Sequence, residues 1–128
     1  MSAVSTDTGF RQPAQRLCEN RVTSCTPTWM YWFTWPTPAF GGAVGCCHAL
    51  DIPFAFDNLD AEGVLMMTGD GEERAQIADR FASEIVSFAT HGHPSWSQFN
   101  TSDRPTLVID TETKLAHDPE PEIRVLFV

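Results

Sequence analysis

A chain of 128 residues that is 42% hydrophobic, with four tryptophans and nine phenylalanines, can fill one modest core and is too apolar for a disordered tail. Its net charge of −9 collects after residue 50, where fifteen acids face Arg74, Arg80, Arg104, Lys114 and Arg124, and this field disfavours a nucleic-acid partner. It shows neither a basic-then-apolar leader nor an apolar run of membrane-spanning length, so a soluble, cytoplasmic protein without a membrane partner is expected.

Residues 7–21 read as a helix. Asp7 or Thr8 can cap it, and Pro13 is tolerable only if the continuous helix starts near it. Phe10, Ala14, Leu17 and Cys18 recur at helical spacing and should form its apolar stripe. A loop over 22–27 leads to residues 28–35, Thr-Trp-Met-Tyr-Trp-Phe-Thr-Trp, the best strand in the chain. Bounded by Pro27 and Pro36 and apolar on both faces, it fits an interior strand of a covered sheet. One such strand is not a sheet, so its partner strands are either supplied by another chain or missing.

Residues 36–45 form a glycine-rich loop that delivers His48. From Asp57 to Glu73 the chain is acidic and turn-rich. Residues 72–91 then predict a long helix whose apolar face is Ile77, Phe81, Ile85 and Phe88 with Ala78, Ala82 and Ala89, stopped by Gly92 and Pro94. Pro94 to Pro105 is a polar loop carrying Trp96 and Phe99. Residues 106–109 and 113–116 pair as a hairpin across 110–112, and an Asp-Pro-Glu-Pro-Glu tail leads to the last residues. The fold class is α/β, with residues 1–128 forming one partial domain and an incomplete sheet.

His48 is the leading candidate for chemistry. A titratable side chain on irregular backbone, held by an apolar flank from Leu50 to Phe56, is how a general base is presented. Asp51 is too close in sequence to orient it and should cap or pair with a basic neighbour. Cys46 and Cys47 could supply a thiol nucleophile, but adjacent side chains rarely converge, and packing roles are the default. The four cysteines fit no disulfide scaffold and should be free thiols. His91 and His93 invite a metal, yet no third or fourth ligand stands at a recognisable spacing, so no metal and no cofactor are expected. The tryptophans Trp29, Trp32, Trp35 and Trp96 read as core before they read as the lining of a pocket.

Several segments together resemble the type-B carboxylesterases, the carboxylesterase and cholinesterase-like branch of the α/β-hydrolases. Gly45-Cys46-Cys47-His48-Ala49-Leu50-Asp51-Ile52-Pro53-Phe54 is similar to the family's Gly-x-x-His-x-x-(Asp/Glu)-(Ile/Leu)-Pro-Phe pattern. Tyr31-Trp32-Phe33-Thr34-Trp35 resembles the aromatic strand leading to that histidine. Phe88-Ala89-Thr90-His91-Gly92-His93-Pro94 resembles the end of the penultimate helix. Thr6-Asp7 with Phe10-Arg11 and Pro13-Ala14, and Arg104-Pro105-Thr106 with Asp118-Pro119, are similar to flanking family segments.

The resemblance implies that His48 is the base of a Ser-(Glu/Asp)-His triad in a cofactor-free carboxylic-ester hydrolase. In this fold the nucleophile and acid precede the histidine. The 128 residues contain no Gly-x-Ser-x-Gly, and only Asp7 and Glu19 precede His48 among the acids. The expectation is therefore a C-terminal piece, beginning after the acid and inactive alone. Its partner would be a complementing N-terminal segment, and together they would take a carboxylic-ester substrate. The alternatives are the small half of a split esterase and a non-catalytic interaction module.

Overall fold

The computed structural model describes residues 6–127. A π-helical turn, Asp7–Arg11, runs into helix α1, Gln12–Thr23. Strand β1 is Met30–Phe33, and a 3-10 turn, Ala39–Gly42, follows it. Three helices come next: α2, Ile52–Ala55; α3, Val64–Thr68; and α4, Arg74–His91. Strands β2, Pro105–Ile109, and β3, Lys114–His117, precede a last helix α5, Pro121–Arg124, and a 3-10 turn at Val125–Phe127. The three strands form one sheet in the order β1-β2-β3. Residue 128, the last of the chain's sequence signals, lies outside the described residues.

The sheet corrects one expectation. The chain supplies a neighbour for β1, namely β2, but β1 ends the sheet rather than lying inside it. Tyr31 is exposed and Trp32 and Phe33 are half-buried, so β1 is not covered on both faces as its composition predicts. The α/β class with an incomplete sheet holds.

The chain divides into two compact units. The first gathers the described residues up to Tyr31, Trp96–Leu107, and those from Leu115 onward. Here the helix accommodates Pro13 by the expected device, an α-helical start beside it, preceded by a wider turn in which the Gln12 N–H bonds Asp7 O. The cap and the stripe differ from expectation. No side chain caps the helix; Asp7 is buried and paired with Arg11 at 3.0 Å. Phe10 and Leu17 are more than half exposed, while Gln12, Gln15 and Cys18 are buried. Periodicity marks a stripe but not what covers it.

Arginine–carboxylate pairs close this unit. Arg104 meets Glu19 at 2.9 Å, and Arg11 also reaches Glu120. Arg124 grips Asp118 with both ends of its fork, at 2.9 and 2.8 Å. Those hydrogen bonds hold the Asp118 carboxyl below the usual carboxylate range, against the opposing effect of burial. Phe99, placed in a polar loop by the sequence, is almost wholly buried, and its N–H bonds Thr28 O at 2.8 Å.

The second unit comprises Trp32–Ser95 and Val108–Lys114. Its long helix α4 begins two residues later than expected and ends as expected, at Gly92 in left-handed conformation with its N–H on Phe88 O at 2.9 Å. Ile77, Ala78 and Phe81 are buried, but Ile85 and Phe88 are exposed. In their place the helix buries Glu84. Its carboxylate takes Arg80 at 2.7 Å and both the N–H and hydroxyl of Ser95, the N–H at 2.8 Å. A buried carboxylate with three donors is satisfied, and here it pins the turn that follows the helix. Among the described residues no helix is long and apolar enough to cross a membrane.

Glu84→Ala removes the acceptor for a main-chain N–H, a hydroxyl and a guanidinium. It should lower unfolding free energy by about 2–3 kcal/mol in urea titrations, with Glu84→Gln recovering part. An unchanged midpoint in Glu84→Ala would remove Glu84 from this role.

Candidate active site

His48 lies in the second unit, and its placement follows from the aromatic pattern of β1. Phe33 and Trp35, two residues apart in extended backbone, present their rings to the same side. Both meet Phe54, each with ring centroids 5.1 Å away, and Phe81 of α4 lies 6.2 Å from Phe33. Phe54 is fully buried; burying a side chain of this kind contributes about 1.5–3 kcal/mol. Six residues before Phe54, His48 is exposed.

The chain between them is tied at both ends. Before the histidine, the Cys46 S–H donates to Phe33 O at 3.0 Å, and the Thr37 N–H reaches Gly45 O at 3.2 Å. After it, the Leu50 N–H returns to Cys47 O at 3.3 Å, and the Leu50 side chain is fully buried. Ala49 is driven to φ +63°, which costs a non-glycine residue about 1–2 kcal/mol. The aromatic contacts and the buried Leu50 and Phe54 offset that strain. The result is a stiff turn with an imidazole on its outside.

The loop that feeds the turn has its own supports. Trp35 is buried and its indole N–H reaches Glu73 Oε1 at 3.0 Å. Thr37, buried between two prolines, donates its hydroxyl to Met67 O at 2.8 Å and accepts the Ala39 N–H at 3.0 Å. Helix α3 is thereby tied to the loop. Gly69, at φ +67°, allows the approach, because a Cβ there would stand 2.8 Å from Pro38 Cγ. Neither Thr37 nor Gly69 stands out in the sequence as a functional signal. A hydroxyl between two prolines was the available signal.

The other candidates fall into place separately. Asp51 occupies the N-cap position of α2, but its side chain makes no capping bond; its carbonyl accepts Ala55 N–H at 2.9 Å. Cys46, though exposed as a residue, has its thiol pushed up to about 11, first by desolvation and then by Cys47, Asp51 and Asp110. A protonated thiol that donates to a carbonyl is an anchor, not a nucleophile. None of the four cysteines forms a disulfide. His91 and His93 have ring centroids 6.1 Å apart, and His93 Nδ1 lies 3.2 Å from Pro94 O. No cluster of three or more His, Cys, Asp or Glu able to hold a metal occurs among the described residues. Asp7 and Glu19, the acids upstream of His48, are committed to Arg11 and Arg104.

Two surface depressions of the second unit, about 540 and 580 Å³, are lined by residues of α4 with Asp110–Thr113 and with Ala55–Asp57 respectively. His48 lines neither. What the turn offers is a braced, exposed imidazole.

The sequence profile of the Carboxylesterase family matches residues 1–124. The chain belongs to the carboxylesterase family. It is 34% identical over 105 residues to the para-nitrobenzyl esterase of Bacillus subtilis, which covers 77% of this chain and 21% of that protein. With the phenmedipham hydrolase of Pseudarthrobacter oxydans it shares 28% over 111 residues, 80% of this chain and 22% of the other. Among solved structures, a PNB esterase superposes with a TM-score of 0.82 at 31% identity, over 94% of this chain and 25% of its own. The carboxylesterase of Geobacillus stearothermophilus gives 0.84 at 25% identity, over 98% and 27%. This carboxylesterase-family chain thus spans about a fifth to a quarter of the length of the relatives it matches, and has their α/β-hydrolase fold over that stretch.

The raised thiol predicts slow chemistry at Cys46. With its pKa near 11 rather than the 9.0 of a free thiol, roughly a hundredfold less thiolate is present at pH 8. Site-resolved iodoacetamide labelling should therefore find Cys46 slow at pH 8 and accelerating up to about pH 11. Fast labelling that levels off below pH 9 would show that the sulfur is not anchored.

Proposed function

We propose that this chain supplies the histidine base of a carboxylic-ester hydrolase and is inert until a second segment supplies the serine and the acid. The observation that carries the reading is the exposed imidazole of His48 on a turn tied by Cys46 and Leu50 and plugged by Phe54. A base must be fixed relative to the backbone and yet reachable from outside the residues that fix it. His48 meets both conditions.

In the completed site His48 accepts the serine proton as the oxygen attacks the ester carbonyl. It carries the positive charge through the tetrahedral intermediate and returns the proton to the departing alkoxide. The acyl-enzyme is then cleared by water activated in the same way. The carboxylate that orients the imidazole comes from the second segment, since Asp7 and Glu19 are held by arginines and Asp51 stands too near in sequence. Within the 128 residues no Gly-x-Ser-x-Gly elbow is encoded, and this is why the base alone has nothing to deprotonate.

The test is hydrolysis of a para-nitrophenyl ester by the purified chain and by its His48→Ala variant. Both should match the buffer rate. Hydrolysis above buffer that disappears with His48→Ala would show that the chain is an esterase by itself and would overturn the proposal.

A further inference from the structure

Cys46 and Cys47 are the chain's one pair of adjacent thiols, and they stand immediately before His48. Both are reduced; Cys46 is exposed as a residue and Cys47 is half-buried. The turn is pinned on either side of the peptide that joins them. The Cys46 S–H holds Phe33 O at 3.0 Å, the Thr37 N–H holds Gly45 O at 3.2 Å, and the Leu50 N–H holds Cys47 O at 3.3 Å. The joining peptide itself is not pinned. Among the described residues neither the Cys46 carbonyl nor the Cys47 N–H bonds another backbone group, and both lie on irregular backbone. A loose peptide between two thiols, inside an otherwise tied turn, is what closing a small ring there requires.

We propose that Cys46 and Cys47 form a redox switch on the His48 turn, closed by a hydroperoxide to a disulfide between the neighbours and reopened by a thiol. The Cys47 thiolate attacks one oxygen of the peroxide; the O–O bond breaks, Cys47 becomes the sulfenic acid, and the alcohol leaves. The Cys46 sulfur then displaces hydroxide from that sulfur, the S–S bond forms, and the Cys46 proton leaves with the hydroxide as water. At rest Cys46 is protonated, with its thiol up at about 11, so Cys47 is the thiol that meets the peroxide first. Cys46 turns nucleophile only toward its oxidised neighbour, where adjacency supplies the effective concentration that its scarce thiolate lacks. Neighbouring Cα atoms are about 3.8 Å apart, short of the roughly 4.4–6.8 Å of a relaxed disulfide. The bridge is therefore strained, and strained bridges are the easily reduced, regulatory kind. Its formation removes the Cys46 proton, and with it the bond to Phe33 O, and it twists the peptide that orients the Cys47 carbonyl toward Leu50. The turn loosens, and His48 with it. What this does to ester hydrolysis rests on the reading of His48 as the base; the bridge and the loosening do not.

The test uses the full chain with Cys25→Ser, which removes an exposed thiol capable of bridging two molecules. After addition of tert-butyl hydroperoxide, the product is read by peptide mass mapping, thiol counting and amide exchange at Leu50. The peptide bearing Cys46 and Cys47 should lose two hydrogens, faster as pH rises toward about 11. Leu50 should exchange at least about tenfold faster in the bridged chain, and dithiothreitol should restore both the mass and the slow exchange. Cys46→Ser keeps a hydroxyl for Phe33 O but no second sulfur. It should hold Leu50 protected under peroxide while Cys47 stops at the sulfenic acid, which dimedone captures. Cys47→Ser, with the Cys46 anchor intact, should neither bridge nor lose Leu50 protection. A sulfinic acid at Cys47 in the chain that keeps both thiols, a bridge to a second molecule, or both thiols left untouched would overturn the pair as a redox site. A Cys46–Cys47 bridge with Leu50 exchange unchanged would overturn its action on the turn.

Discussion

Everything at the candidate site depends on the seat that Phe33 and Trp35 make for Phe54. It joins the end of β1 to α2, and it spans the loop, the turn and the histidine in between. The two rings offer apolar surface at two-residue spacing, and Phe54 fills it completely. Without that contact the left-handed Ala49 and the long glycine-rich loop would have no reason to keep one conformation. With it, the entropy lost by the loop and the strain at Ala49 are offset by buried aromatic area and by the Cys46 and Leu50 hydrogen bonds. The proton-transfer role proposed for His48 would gain from this, because a side chain's reach is set by the backbone that carries it.

The same seat accounts for the division of labour among the cysteines and acids near the histidine. Cys46 faces the Phe33 carbonyl, so its proton is useful and its thiolate is suppressed. Asp51 starts the short helix that delivers Phe54, with its carbonyl rather than its carboxylate making the helical bond. In the other unit, Asp7, Glu19, Asp118 and Glu120 are held by arginines, and the Arg124 fork keeps the Asp118 carboxyl below the usual carboxylate range.

Much of this was legible in the sequence, and the parts that were not have identifiable causes. The long helix, the hairpin and the turn bearing His48 followed from local signals: apolar periodicity with Gly92 as stop, two short β-rich runs about a turn, and a polar residue between a glycine loop and an apolar run. Burial did not follow so well. Phe10 and Leu17 of α1, and Ile85 and Phe88 of α4, sit on stripes that periodicity assigns to a core, and they are exposed. Periodicity reports a face that wants cover, whereas the cover is a property of the whole domain, of which this chain matches about a quarter of each solved relative. The buried Glu84 was missed for the opposite reason: its partners Arg80 and Ser95 make a carboxylate acceptable where composition calls for an apolar residue. The aromatic strand at the sheet edge is a third case, since its composition anticipates neighbours on both sides and the chain supplies β2 alone.

The central claim is that the turn around His48 is fixed in this chain by itself. Amide hydrogen exchange on the isolated protein tests it directly. The Leu50 and Ala55 amides, bonded to Cys47 O and Asp51 O, should exchange as slowly as the Ile77 amide at the start of α4, bonded to Glu73 O. Exchange of Leu50 and Ala55 at unfolded-chain rates, with Ile77 still protected, would show that the aromatic seat does not hold the histidine and would contradict the account.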